Sequence, residues 1–208
     1  GDDAVAATLL AARAGEWERR ITERLERLGA ADADAAADIA DALNKDLTEV
    51  GVYNNSWGSP DNGTLNAAED SFVQAIDRGI REGREGKGTI YVFPAGNGGC
   101  YATDRDRNCL QENSNYDGYV NKLGIITACA VDHDGRRPFF GEIGANMLVC
   151  GPSSNDSVRI TTTDIQDRFQ SGFTGTSAST PIVAGITSLM LSANPSLTWR
   201  DVQQILAR

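Results

Sequence analysis

The sequence predicts an α/β fold with three layers, in which a mostly parallel sheet carries helices on both faces. Short apolar runs alternate with helical stretches along the chain, and this alternation is typical of a parallel sheet covered on both sides. The clearest strand, Thr89–Phe93, consists of β-branched and aromatic residues. With 208 residues, 40% of them hydrophobic, the chain is long enough to bury one core.

Each element follows from its own pattern. The segment 71–84 predicts a helix because Phe72, Ile76 and Ile80 fall on one face, and Thr198 with Asp201 predicts a capping box for a last helix. The remaining predictions are helices at 16–28 and 34–43, strands at 50–53, 123–131 and 147–150, and a helix through the apolar run 182–191.

The motif Gly-Thr-Ser-Ala-Ser-Thr-Pro at 175–181 precedes that apolar run and places the Ser177 hydroxyl in the first turn of a buried helix. Glycine permits a sharp bend there, and proline is compatible with the start of a helix. Unpaired N–H groups and the positive end of the helix dipole favour negative charge developing on a carbonyl oxygen. The motif therefore suits a nucleophile that attacks an acyl carbon, and the alternative is a Ser/Thr-rich cap on an ordinary core helix.

Asn97 lies in a glycine-containing corner, Pro-Ala-Gly-Asn-Gly-Gly at 94–99, directly after the strand Thr89–Phe93. An amide at such a corner can aim a hydrogen-bond donor into a cleft, where an oxyanion donor contributes strongly to catalysis. The alternative is a turn in which Asn97 adopts the left-handed conformation between glycines.

Taken with Asn-Ser-Trp-Gly at 55–58, these two motifs in this order resemble the subtilisin-like serine protease family (peptidase S8, subtilases), and most closely its kexin/furin-type proprotein convertase branch. The resemblance covers about residues 30–208. It implies that Ser177 is the nucleophile and Asn97 the oxyanion donor. It also implies that Ser56, Trp57 and Gly58 form the edge strand that pairs with the substrate backbone.

A serine nucleophile needs a histidine base and a carboxylate that orients it, and the family carries both in sequence motifs upstream of those found here. The single histidine of the chain, His133, lies in a polar stretch that predicts an exposed turn. Residues 1–29 are interpreted as a helical segment, a degenerate remnant of the family's histidine helix with Asp2 at the histidine position.

We therefore expect an N-terminally truncated catalytic domain over residues 30–208, inactive alone. The alternatives are a pseudoprotease that binds basic peptides, and one half of a split protease. In the last case a missing N-terminal segment or a partner chain supplies the aspartate and histidine.

The formal charge of −10 disfavours a nucleic-acid partner, which needs a basic face, and favours basic peptides. The convertase resemblance implies that Asp61 and Asp117 line the pocket that selects arginine or lysine before the scissile bond. It also implies that Tyr119 borders a more distal pocket. The alternative is that both aspartates belong to ordinary turns.

The same resemblance implies a calcium ion held by Asp61, Glu112 and Glu142, because carboxylate oxygens suit a hard cation. The alternative is a set of solvated loop carboxylates.

Four cysteines lack the spacing of a zinc site. Cys100 and Cys109 bracket a polar loop that a disulfide could close, whereas Cys129 and Cys150 lie in apolar strands as paired or buried thiols. The chain contains no signal-peptide pattern. Because convertase-type enzymes are exported, the resemblance implies a secreted, periplasmic or cell-surface protein.

Overall fold

The computed structural model describes residues 33–99, 112–155 and 157–208. Helices and strands alternate along most of this part of the chain, and the predicted boundaries of the strands and of the helix at 71–84 agree with the observed ones within about two residues. The elements in order are α1 (Ala33–Leu43), β1 (Val52–Asn54), α2 (Asp70–Glu82) with a 3-10 turn (Gly83–Gly86), β2 (Ile90–Pro94), a 3-10 turn (Ser114–Tyr116), β3 (Ile125–Val131), β4 (Met147–Pro152), β5 (Ile160–Asp164), β6 (Arg168–Phe173), α3 (Thr176–Ala193) and α4 (Trp199–Leu206).

The main sheet has four strands in the order β1-β2-β3-β4, and every neighbouring pair is parallel. Tyr91, the second residue of β2, pairs with Tyr53 of β1 and Ile125 of β3. All five residues of β2 are buried, as expected for an inner strand covered on both faces. The predicted α/β class and the mostly parallel sheet are confirmed.

Alternate residues of β2 belong to different core clusters, one on each side of the sheet. Tyr91 and Phe93 pack with Phe72 and Ile76 of α2 and with the end of α1. Ile90 and Val92 pack with Val183 and Ala184 of α3 and with Trp199 and Val202 of α4. Because side chains alternate across a strand, the sheet forms the middle layer between α1/α2 and α3/α4.

A two-stranded antiparallel sheet, β5 with β6, was not predicted from the sequence. Its turn places Gln166 and Asp167 at φ of 59° and 54°. Hairpin turns with positive φ normally use glycine or asparagine, so this turn carries none of the usual sequence signal. Most residues of the two strands are exposed, which removes the buried face that would mark them.

Cys129 and Cys150 form a disulfide between β3 and β4, where they are register partners with Cα atoms 4.2 Å apart. Of the two alternatives that the sequence left open, the structure shows the paired one. Cys100, Cys109 and the segment 1–29 lie outside the described residues. Within the described ranges, no helix combines the length and the apolar character needed to cross a membrane.

We expect removal of the Cys129–Cys150 disulfide to lower the free energy of unfolding by about 3 kcal/mol, because a cross-link over 21 residues restricts the unfolded chain. The measurement is urea unfolding of the Cys129→Ala/Cys150→Ala variant compared with the unreduced wild type. Equal unfolding midpoints for this variant and the unreduced wild type would contradict the prediction.

Candidate active site

Ser177 is the second residue of helix α3. Gly175 is the N-cap residue at φ 84°, a conformation that glycine adopts without strain. Its carbonyl oxygen accepts a 2.7 Å hydrogen bond from Ser153 Oγ, which fixes the start of the helix. Ser177 therefore lies in the first turn, as predicted, next to the positive end of the helix dipole.

Pro181 lies further into the helix than the sequence pattern predicted. It is the sixth residue of α3, in the second turn, and is an internal proline of the helix. The sequence pattern favoured the first turn, where proline is common because the N–H groups there are unpaired in any case. The helix begins five residues earlier because Gly175 supplies the bend.

Asn97 is held against the first turn of α3 by Thr176. Its Oδ1 atom accepts hydrogen bonds from the Thr176 backbone N–H at 2.8 Å and from Thr176 Oγ1 at 3.0 Å. Among the described residues no acceptor takes a hydrogen bond from Nδ2, so that donor remains available. Gly96, at φ 105°, takes the left-handed conformation, whereas Asn97 is not among the residues with positive φ. The turn-residue alternative for Asn97 is therefore wrong.

Ser177 and Asn97 line one open pocket of about 100 Å³ at the carboxyl ends of β1 and β2. This is the edge at which α/β sheets bind ligands. The pocket also contains most of the other predicted site residues: Ser56, Trp57, Gly58, Asp61, Asp117, Glu112 and Glu142. Tyr119 is not among its lining residues.

The segment Ser56–Gly58 continues beyond the end of β1 and passes the first turn of α3. Ser177 Oγ donates to the Ser56 carbonyl at 3.4 Å, and Ser56 Oγ donates to the Ser177 carbonyl at 3.2 Å. Trp57 is anchored by edge-to-face packing on Phe93 and Tyr119, with ring centroids 5.2 and 5.3 Å apart. Gly58 is exposed beside the pocket.

Asp117 and Tyr119 are fixed by contacts within the chain. Asp117 accepts hydrogen bonds from the Ser59 backbone N–H at 3.1 Å and from Ser59 Oγ at 2.9 Å. Tyr119 lies behind Trp57, contacts the Phe72 ring at a centroid distance of 4.8 Å, and donates its hydroxyl hydrogen to Glu69. Asp117 therefore faces the pocket directly, whereas Tyr119 reaches it only through Trp57.

Asp61, Glu112 and Glu142 converge at the base of the pocket, with one oxygen from each lying within 4.8 Å of the others. Glu112 and Glu142 are only 7% and 4% exposed. Each carboxylate also accepts a backbone hydrogen bond: Asp61 from Asn97 at 3.1 Å, Glu142 from Gly98 at 3.0 Å, and Glu112 from Gly63 at 2.9 Å. The three carboxylates therefore keep fixed positions while further oxygen lone pairs stay free.

This arrangement fits a hard cation. Burial, together with the nearby Asp61 and Glu112 charges, raises the pKa of Glu142 to about 8, although the hydrogen bond from the Gly98 N–H acts in the opposite direction. A Cβ atom at Gly96 would lie 2.1 Å from Glu142 Oε1, and one at Gly98 would lie 2.6 Å from Glu112 Oε2. Glycines thus make room for the carboxylates, and crowded negative charge on oxygen ligands is the chemistry that calcium accommodates.

His133 lies in an exposed turn after β3, as predicted, and is absent from the pocket lining. Its Nδ1 atom is 2.9 Å from Asn155 Nδ2, and its Nε2 atom is 3.6 Å from Asp134. No histidine in the described part of the chain therefore contacts Ser177.

Sequence reasoning missed two residues that support the site. Thr176 orients Asn97 and Ser59 holds Asp117. Thr176 could have been found, since it lies beside Ser177 in the motif, whereas the Ser59 contact joins residues 58 positions apart and has no local signal.

Comparisons with known proteins identify chains that this one is similar to. The model of the subtilase family (peptidase S8) matches residues 5–208. Kexin from Candida albicans (strain WO-1) is 42% identical over 171 residues, which are 82% of this chain and 17% of that protein. Human proprotein convertase subtilisin/kexin type 7 is 40% identical over 172 residues, covering 79% of this chain and 21% of that protein. The chain thus spans about a fifth of the length of these relatives.

Solved structures show the same fold at lower identity. A serine protease of Aeromonas sobria superposes with a TM-score of 0.71 at 21% identity, covering 84% of this chain and 36% of that one. A cold-adapted subtilisin-like serine proteinase gives a TM-score of 0.64 at 18% identity, with coverage of 86% and 55%.

Proposed function

The chain belongs to the subtilase family of peptidases, and on that premise we propose that it is the nucleophile-bearing part of a serine endopeptidase domain that cleaves after basic residues. The observation that carries the proposal is the shared pocket of Ser177 and Asn97 at the first turn of α3. Two independent segments of the chain meet there, one with a hydroxyl and one with an amide donor held in place by Thr176.

In the proposed reaction Ser177 Oγ attacks the carbonyl carbon of the scissile peptide bond, the C–N bond breaks, and the amine half leaves with the proton taken from Ser177 Oγ. Water then hydrolyses the acyl-enzyme that remains. Asn97 Nδ2 and the backbone N–H of Ser177 hold the negative oxygen of the tetrahedral intermediate. A histidine oriented by an aspartate takes the proton from Ser177 Oγ, and both come from outside the described residues, in a further segment or a partner chain. Without them the chain is inactive or nearly so.

Asp61 and Asp117 support a preference for arginine or lysine before the cleaved bond. Both carboxylates line the pocket, and the chain carries a formal charge of −10, which favours the approach of basic peptides. The extended segment Ser56–Gly58 would pair with the peptide backbone, and Tyr119 would back a more distal pocket through Trp57.

Asp61, Glu112 and Glu142 would hold a calcium ion under this pocket. The ion would offset the mutual repulsion of three close carboxylates and so keep Asp61 in place. The Cys129–Cys150 disulfide supports a secreted or cell-surface location, since disulfides persist in oxidising compartments.

The test is covalent labelling of Ser177 with a fluorophosphonate probe, followed by mass spectrometry of the modified peptide. We expect the label on Ser177 in the protein completed by the segment or chain that carries the aspartate and histidine, and its complete loss in Ser177→Ala. Ser179→Ala is the matched control, since Ser179 belongs to the same helix and is buried. Labelling of another residue, or equal labelling of Ser177→Ala, would rule out the proposed nucleophile.

A second candidate is a pseudoprotease that binds basic peptides without cutting them. The contact that favours it is the hydrogen bond that Ser177 Oγ donates to the Ser56 carbonyl. In the described part of the chain no histidine contacts this hydroxyl to act as its base. A folded chain that binds an Arg-Arg peptide but remains unlabelled even when the aspartate and histidine motifs are supplied would support this function. Labelling that appears only when a second chain with the aspartate and histidine motifs is added would indicate a split protease.

A further inference from the structure

Pro181 interrupts the hydrogen bonding of α3 at the position of the nucleophile. In an α-helix the carbonyl of a residue accepts a bond from the N–H four residues later. The acceptor that faces Pro181 is the Ser177 carbonyl, and proline has no N–H to donate. The peptide that follows the nucleophile therefore lacks its helical partner.

The Ser56 hydroxyl supplies the missing donor. Ser56 Oγ donates to the Ser177 carbonyl at 3.2 Å, although the two residues are 121 positions apart. The reverse contact, from Ser177 Oγ to the Ser56 carbonyl at 3.4 Å, closes a reciprocal pair. Both side chains are half-buried, so water has restricted access to this carbonyl.

We propose that Ser56 is a positioning residue: its hydroxyl supplies the hydrogen-bond donor that Pro181 lacks and thereby fixes the nucleophile relative to the substrate-binding segment. This proposal rests on the proposed function of Ser177. Since the Ser56 carbonyl and hydroxyl both contact Ser177, the wall of the pocket and the first turn of α3 keep one relative position. Loss of the hydroxyl would leave a partly buried carbonyl unpaired and let the two segments move separately.

A double-mutant cycle tests whether the Ser56 hydroxyl takes the place of the missing backbone donor, because Pro181→Ala restores the N–H at residue 181. We expect Ser56→Ala to raise the equilibrium constant for unfolding about ten-fold when residue 181 is proline, the effect of leaving one partly buried acceptor unpaired. In the Pro181→Ala background the same change should alter that constant by less than about two-fold. Ser56→Thr keeps the hydroxyl and should leave the equilibrium constant for unfolding of the otherwise unchanged chain at its wild-type value.

The second readout is the rate at which a fluorophosphonate labels Ser177 in the four proteins of the cycle, each completed by the segment or chain that carries the aspartate and histidine. Ser56→Ala should slow labelling several-fold, and adding Pro181→Ala should restore the rate. Equal effects of Ser56→Ala in both backgrounds, in stability or in labelling, would overturn the proposal. Absence of labelling in all four proteins would overturn the proposed function and the positioning role with it, whereas labelling without rescue would overturn only the role of Ser56.

Discussion

Replacement of Asn97 by alanine is expected to slow the labelling of Ser177 by a fluorophosphonate at least 100-fold, in the protein completed by the segment or chain that carries the aspartate and histidine. The phosphonyl oxygen occupies the position of a substrate oxyanion, and loss of one oxyanion donor costs about 2.7–4 kcal/mol of transition-state stabilisation. Asn97 suits this role because Thr176 occupies its oxygen at 2.8 and 3.0 Å and leaves the amide nitrogen to donate. The measurement is the second-order rate constant from the time course of labelling.

Asn66→Ala is the matched control for this experiment. Asn66 also lines the pocket, but its amide donates to the backbone carbonyls of Pro60 and Thr64 in its own loop, and among the described residues it makes no hydrogen bond to α3. We expect that variant to be labelled at nearly the wild-type rate. Similar rates for Asn97→Ala and wild type, in proteins of equal stability, would exclude Asn97 as the oxyanion donor.

Calcium is expected to raise the free energy of unfolding by about 4 kcal/mol when present at a thousand times its dissociation constant. The ion would bind Asp61, Glu112 and Glu142 in the folded chain, whereas unfolding separates these carboxylates. Urea unfolding in calcium and in a chelator measures the difference, and magnesium is the control cation because it requires smaller, octahedral coordination.

The effect of pH gives the same experiment a second signature. The pKa of Glu142 is about 8 in the folded chain, raised by burial from an ordinary value of 4.5. Between these values the folded chain binds more protons than the unfolded one, so in chelator stability falls as pH rises from about 4.5 to 8. With allowance for solvent screening this loss is on the order of 2 kcal/mol. Calcium requires the ionised carboxylate, so its stabilising effect grows over the same pH range.

Glu142→Gln should remove both the response to calcium and the fall in stability with pH. Glu49→Gln, at an exposed carboxylate outside the cluster, should preserve both. The calcium assignment would be excluded if magnesium stabilised the protein as much as calcium, or if Glu142→Gln responded to calcium as the wild type does.

The layered fold could be predicted because its strands and helices carry strong local patterns. β2 is buried on both faces and reads as a continuous apolar run, and the face of α2 that bears Phe72 and Ile76 repeats at helical spacing. The hairpin of β5 and β6 was missed since Gln166 and Asp167 adopt positive φ without glycine. Its strands also lack a buried side.

The pocket was predicted less completely, because it depends on contacts between distant segments. The family resemblance named the residues of the carboxylate cluster and of the Ser56–Gly58 segment, and the fold brings them together with Ser177 and Asn97. The hydrogen bonds that fix them join distant residues: the partner of Asp61 is 36 positions away, and the partner of Ser56 is 121 positions away. No local spacing rule reports such pairs, and for the same reason the placement of Tyr119 behind Trp57 could not be anticipated.

The order of the elements also governs how the molecule assembles during synthesis. The four parallel strands lie side by side in the same order as in the sequence, which is also the order of their synthesis. The helices that cover Ile90, Val92 and Ile126, however, begin only at Thr176. A nascent chain that ends before Thr176 exposes that apolar surface, and such surfaces promote aggregation. Slow translation of the last two helices would therefore lengthen the interval in which a molecular chaperone has to shield the growing chain.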